Sequence, residues 1–358
     1  VIDRIFITGV APITLDSLTS GFNISSDKTQ DREFNEMMGF TEKELKGLMT
    51  QQNIEYKKQE KLLPIMRENY DGYKFSLHGR EKIYNSNMCL FFLNNYVRFQ
   101  ELPEQLIDMN IASDYTKLGK MLDLCKGEER EKVIEKTVSG EGIISDIRQK
   151  FNPAMEFTET DLVSMLFYLG YLTIAGEVFE KPELKIPNKV MKEIYSEYFL
   201  EVLKKETDMQ VTESDYNEML REIALEGKID KIIETVEKYL KGLSNRDYIK
   251  FDEKYVKLIF FCIAMNLKIF RLKSEMEVQK KYPDILLIPK DQSKDYKGVM
   301  IEFKYLKKGE ESKLKEKQEE AKKQIEEYGK FEEIKELKNI YKYTVVAVND
   351  KIYVEKIN

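Results

Sequence analysis

Histidine is nearly missing from this chain of 358 residues, which has one, His78. A Ser-His-Asp or Cys-His machine would have to be built on that single residue, and a zinc site with several histidines is excluded. Cysteine is scarce as well. Cys89, Cys125 and Cys262 stand far apart without Cys-x-x-Cys spacing, so they read as reduced cytosolic thiols in cores rather than as staples or zinc ligands. Excess charge of one sign is small. Lys and Arg number 58 against 64 Asp and Glu, a formal net charge of −6. No global basic field holds nucleic acid, and any such site must be a local patch. Long apolar runs are absent too. The longest, residues 258–265, is far short of the roughly 18 residues a membrane helix needs. No signal peptide is present, so the expected location is cytoplasmic and away from membranes. What is there suits cores with a well-solvated surface: 42% of residues are hydrophobic and 34% charged. At roughly 100–200 residues per domain the length predicts two to three domains. The chain shows no internal repeat and no low-complexity linker.

The chain opens on Val1 and runs at once into an apolar stretch, residues 5–10, that reads as a strand covered on both faces. This suggests a fragment whose upstream part is missing. Thr41, with Glu44 three residues on, opens a helix as a capping box. Residues 51–150 read as largely helical, with an aromatic turn at 69–75, an apolar helix at 88–97 and an amphipathic stretch at 116–135. Thr158 and Asp161 cap a helix that Gly170 ends. Two short strands follow, 171–174 and 184–186, around a turn containing Gly and Pro, and Pro187-Asn188 starts another helix. Helix, hairpin, helix over about 155–205 is the pattern of a winged helix. Two helices at 211–243 lead to a turn, Ser244-Asn245-Arg246-Asp247, which is the best boundary. Beyond it come a helix (252–267), strands at 268–278, 284–289 and 298–306, a charged helix (310–328) and a final strand pair (343–349 and 352–357). The alternation predicts a compact α/β domain.

The strongest chemical signal lies in that last part. Pro283-Asp284 precedes one apolar strand, and Glu302-Phe303-Lys304 lies inside another. Alternation puts Glu302 and Lys304 on one face and Ile301 and Phe303 on the other. A hairpin through 290–297 brings Asp284 beside Glu302. Two carboxylates that close need a cation between them, and Mg²⁺ is held by one or two carboxylates with water and substrate phosphate. The carbonyl of Phe303 offers a further oxygen. Lys304 would orient or deprotonate the attacking water, or stabilise developing charge. These are parts for metal-dependent phosphodiester hydrolysis, and they need no histidine. A lone Glu-x-Lys on a strand is commonly a solvated ion pair, but apolar flanks here make an unpaired charge expensive. Glu253, on the preceding helix, is a candidate third metal ligand ahead of Glu275 and Glu277; its ordinary role would be a first-turn acid favoured by the helix dipole. Gln324, beside Ile325 and Tyr328, is a candidate hydrogen-bond donor to the site. Lys280, Lys281, Lys290, Lys294, Lys297, Lys307 and Lys308 could neutralise phosphates, and Tyr282 and Tyr305 could stack on bases.

Several segments together resemble a known family. Ile5-Phe6-Ile7-Thr8-Gly9-Val10, Phe34-Asn35-Glu36-Met37 with Gly39-Phe40-Thr41, Tyr70-Asp71-Gly72-Tyr73-Lys74-Phe75 and Tyr84-Asn85 resemble bacterial AAA-ATPase-like proteins. These carry a C-terminal PD-(D/E)XK nuclease-superfamily domain. Phe251-Asp252-Glu253-Lys254-Tyr255, Tyr282-Pro283-Asp284-Ile285 and residues 301–308, with Ala321, Gln324 and Tyr328, are similar to that domain. The resemblance implies a restriction-endonuclease-like fold. It makes Asp284 and Glu302 metal ligands, with Lys304 the catalytic lysine. The chain departs from the family by having no P-loop. Thr8 and Thr14 resemble sensor-strand hydroxyls, yet without the phosphate cradle no nucleotide is expected on this chain.

The fold expected is thus α/β plus α, in three parts: 1–100, the end of an ATPase-like core and its lid; 101–244, helical, with the winged-helix-like unit; and 245–358, the nuclease-like domain. The function expected is Mg²⁺- or Mn²⁺-dependent cleavage of nucleic acid, DNA ahead of RNA, coupled in a longer parent to an upstream ATPase domain. A non-catalytic nucleic-acid- or protein-binding regulatory module is the alternative, and oligomers are allowed. Lys304→Ala is expected to remove cleavage while leaving folding nearly intact.

Overall fold

In the computed structural model, described over residues 9, 26–103, 105–107, 114–125, 128–149, 151, 157–243, 252–273 and 283–357, local sequence signals set many helix starts. Thr41 Oγ1 accepts from the Glu44 N–H while Glu44 Oε2 accepts from the Thr41 N–H. The same reciprocal box forms between Thr158 and Asp161 and between Thr212 and Asp215. The chain divides into two compact units, Val1–Tyr198 and Phe199–Asn358.

The first unit begins with α1 (Glu42–Gln51), α2 (Tyr56–Tyr70) and α3 (Ser86–Phe99). The segments around them are tied by backbone bonds and one buried side chain. Phe40 pairs with Tyr84 and Tyr73 with Ile83. Asn35, fully buried, accepts from the Phe75 and Ser76 N–H groups at 2.9 and 3.0 Å and donates to Glu81 O at 2.9 Å. Asn85 caps α3 through Met88 N–H. The expected amphipathic stretch at 116–135 is two helices, α4 (Asp114–Leu122) and α5 (Glu128–Val138). Then come β1 (Ile143–Ile144), α6 (Glu159–Tyr168), β2 (Thr173–Val178), β3 (Lys181–Lys185) and the start of α7 (Lys189–Thr207), whose residues past Tyr198 belong to the second unit, with sheet order β1-β3-β2. The turn between β2 and β3 is not at the Gly or Pro that the sequence suggested. Gly176 and Pro182 lie within the paired strands, and Phe179 and Glu180 make the turn with φ of 51° and 61°. Two left-handed residues match the twist of a tight hairpin, which outweighs the absence of a glycine there.

The second unit holds α8 (Glu213–Arg221), α9 (Asp230–Leu243), α10 (Glu253–Met265), β4 (Phe270–Lys273), β5 (Ile285–Pro289), β6 (Gly298–Leu306), α11 (Leu314–Tyr328), α12 (Glu332–Lys335), β7 (Ile340–Val348) and β8 (Lys351–Ile357). The sheet order is β4-β5-β6-β7-β8, with β6 and β7 parallel and the other neighbours antiparallel. A parallel pair needs a crossover, and α11 supplies it. β5 and β6 are buried almost throughout because both faces are covered. On one face Ile325 joins Leu286, Ile288, Met300, Ile334 and Ile357, and Leu314 joins Leu306, Val346 and Val348. On the other, Phe303 meets Phe260 of α10 edge to face, ring centroids 5.3 Å apart. The strand expected at 268–278 is β4, and its later residues lie outside those described. So do the boundary turn at 244–247, the opening strand apart from residue 9, and Thr8 and Thr14.

Candidate active site

Asp284 stands just before β5. Pairing of Ile285 with Ile301 puts it in line with Glu302 on β6, as an antiparallel register requires. The Phe303 N–H donates to Asp284 Oδ2 at 2.7 Å. Glu302 and Lys304, two residues apart on β6, share one face, and Lys304 Nζ donates to Glu302 Oε1 at 3.0 Å. Asp284, Glu302 and Lys304 are 4, 3 and 8% exposed. That removes the reading of a solvated Glu-x-Lys pair. Two acids and an amine meet in the interior, at the point where β5 and β6 lie side by side.

A second lysine joins them that the sequence reading missed. Lys257, in the second turn of α10, donates to Asp284 Oδ1 at 2.5 Å. It also meets Glu253 Oε1, one turn earlier on the same helix, at 2.8 Å. Its signal was present: Lys257 is the one charge within residues 255–265, an otherwise apolar helical run. A cation in such a run needs a buried anion. Glu253 is therefore not beside Asp284 as a free carboxylate; it reaches Asp284 through the Lys257 ammonium.

Burial drives the electrostatics. It pushes the Asp284 carboxyl up to about 6, against the pull of Lys257. It pushes Glu302 up to about 7, helped by the negative charge of Asp284 and opposed by Lys304. For Lys257 burial works against the charge, but Asp284 and Glu253 outweigh it and hold the ammonium above the ordinary lysine range. Two acids raised together, one by the charge of the other, mark a place short of positive charge.

One polar atom of the site supports that: Glu302 Oε2 is buried with no hydrogen-bond partner. Gln324 lies on α11, the helix packed over β6 and β7, and its Oε1 is likewise buried without a partner. Mg²⁺ or Mn²⁺ takes hard oxygen donors and keeps several waters. Asp284, Glu302 and the carbonyl of Phe303 fit such an ion, with Glu302 Oε2 an acceptor still lacking a donor. Among the described residues no group of three or more His, Cys, Asp or Glu side chains is gathered to hold a metal.

Of the expected lysine cluster, Lys280 and Lys281 lie outside the described residues, as do Tyr282, Glu275 and Glu277. Lys294 and Lys297 are paired with Asp291 and Asp295 at 3.9 and 2.7 Å. Lys307 and Lys308 are exposed just past the end of β6, and Tyr305 is half-buried within it.

Residues 251–357 match the family model of the PD-(D/E)XK nuclease superfamily, so a domain of that superfamily is found there. It contains Asp284, Glu302, Lys304 and Gln324. The superfamily is generally one of nucleases, hydrolases of nucleic acid that generally use Mg²⁺ or Mn²⁺. No curated protein matches the chain. Among the described residues no helix is long and apolar enough to cross a membrane.

Proposed function

We propose that the C-terminal domain, residues 245–358, hydrolyses phosphodiester bonds of nucleic acid, with DNA the first substrate to test, using Mg²⁺ or Mn²⁺. The observation that carries this is the buried trio of Asp284, Glu302 and Lys304 within the matched stretch. In this reading Asp284, Glu302 and the Phe303 carbonyl hold the ion, with Glu253 as a further acid. When bound, the ion supplies charge stabilisation at the phosphate and lowers the pKa of water. Lys304 orients the attacking water and balances the negative charge that grows on the phosphate oxygens. Its bond to Glu302 fixes where its ammonium sits. Gln324 offers its side-chain amide to a phosphate or to the water. Residues 101–244, with the hairpin of β2 and β3 as part of a winged-helix-like unit, contribute binding. Residues 1–100, by their resemblance, link the domain to nucleotide hydrolysis in a longer cytoplasmic protein.

The test is direct. The chain is incubated with single- and double-stranded DNA and RNA in Mg²⁺, Mn²⁺ or EDTA, beside Glu302→Ala. Cleavage is expected with either metal, absent in EDTA, and lowered at least about a hundredfold in the variant. Cleavage that survives in Glu302→Ala would remove this site from the chemistry. Folded protein that binds nucleic acid and cuts none of the substrates would identify the domain as a binding module. One observation favours that second reading: a lysine already satisfies Asp284.

A further inference from the structure

The Lys257 ammonium sits between two carboxylates that come from different places in the chain. Asp284 precedes β5, and Glu253 lies in the first turn of α10. Nζ is 2.5 Å from Asp284 Oδ1 and 2.8 Å from Glu253 Oε1. The other oxygen of Asp284 is taken by the Phe303 N–H. Each oxygen of Asp284 thus already accepts one hydrogen bond, and a divalent ion approaching Oδ1 meets the Lys257 ammonium there. The lysine side chain is 15% exposed, against 2% for Asp284. It lies at the solvent side of the pair, on a flexible stem with water within reach.

We propose that Lys257 is a built-in stand-in for the metal ion: it grips Asp284 and Glu253 while the site is empty and is displaced when a divalent cation loads. This rests on the reading of the site as a metal-dependent one and adds to it a residue that sets how readily the metal enters. The physical reason is the cost of bare carboxylates. Asp284 and Glu302 lie side by side in the interior, and without a cation neither ionises cheaply. Lys304 supplies one positive charge to Glu302, and Lys257 supplies the other to Asp284. An incoming ion replaces the second and must overcome the ion pair it breaks. The released ammonium keeps Glu253, a half-exposed partner, on its own helix turn.

Metal binding itself is the readout. Mn²⁺ is titrated calorimetrically into the wild-type chain and into Lys257→Met, which keeps the stem and removes the charge. The variant is expected to bind Mn²⁺ at least about tenfold more tightly, because no pair has to be broken. In the wild type, amine-directed acylation read by mass spectrometry is expected to label Lys257 several-fold faster at saturating Mn²⁺ than in EDTA. That arm needs no substitution, so it holds even where Lys257→Met folds poorly. Equal or weaker Mn²⁺ affinity in the variant, or unchanged labelling of Lys257 in metal-loaded wild type, overturns the proposal. Either result beside intact Mn²⁺-dependent cleavage removes the lysine switch and leaves the nuclease standing. No Mn²⁺ binding by either protein, with no cleavage, removes both.

Discussion

Glu302 and Lys304 form an ion pair that water hardly reaches, their side chains being 4 and 9% exposed. Breaking such a pair from one side leaves a buried charge, at a cost of about 3–5 kcal/mol. The expectation that Lys304→Ala leaves folding nearly intact does not survive this geometry. A loss of activity in that variant has to be read beside its own denaturant unfolding, and the burial of the pair is tested by the pH dependence of the metal-free protein. The folded-state pKa of Glu302 is raised to about 7 from an ordinary 4.5. A group raised on folding contributes stability that is whole below its unfolded value and is lost as pH rises through its folded value. In EDTA, Glu302 therefore contributes a fall in stability between pH 4.5 and 7, on the order of 2–3 kcal/mol. Glu302→Gln cannot titrate. Its unfolding free energy, whatever its absolute value, is expected to decline less than the wild type's from pH 5 to pH 8 by that amount. Denaturant unfolding at the two pH values measures it, and parallel curves would place the Glu302 carboxyl in water rather than in the core.

At the scale of elements, the alignment of Asp284 with Glu302 depends on the start of β6. A Cβ on Gly298 would lie 2.5 Å from the carbonyl oxygen of Leu287 on β5 and 2.5 Å from Ile340 Cδ1 on β7. Backbone oxygen does not rotate away, so Gly298→Ala must push β6 off its neighbours. The expected cost is about 1–3 kcal/mol, a typical price of overpacking, seen in urea unfolding. Cleavage is expected to fall with it although no side chain of the site is touched; full activity would show that the register of Ile285 with Ile301 tolerates a shifted strand end. These elements were legible because their signals are local. β5 and β6 are unbroken apolar runs, α11 carries Ala321 and Ile325 on a charged helix, and Thr-x-x-acid marks helix starts. Phe179-Glu180 was not legible as a turn, since neither residue is a turn former and the pairing of β2 with β3 decides it. Lys257 was missed for a related reason. Its partner Asp284 is 27 residues away, and only the tertiary fold brings them together.

The whole molecule has a net charge of −6, so attraction to nucleic acid has to come from a limited edge rather than from the overall field. In the connection from β5 to β6, at the end of that strand pair away from Asp284, Lys294 and Lys297 face Asp291 and Asp295. Lys307 and Lys308 stand at the other end of β6, beside Glu310 and Glu311, whose carboxyls they help to hold down. They follow Glu302 and Lys304 along the same strand direction and emerge into solvent as β6 ends. A backbone that reaches the buried acids would pass them. Each lysine that neutralises a phosphate adds close to one to the slope of log affinity against log salt. Replacing Lys307 and Lys308 with alanine in the cleavage-dead Glu302→Ala chain is therefore expected to weaken DNA binding and to lower that slope by up to about 2 between 50 and 200 mM salt. The same double change at Lys294 and Lys297 is expected to lower that slope much less, since these ammoniums counter Asp291 and Asp295 rather than phosphates. Fluorescence anisotropy across a salt series separates the two pairs. A slope that neither pair alters would move the phosphate contacts to another part of the chain, with the hairpin of β2 and β3 next to be mutated.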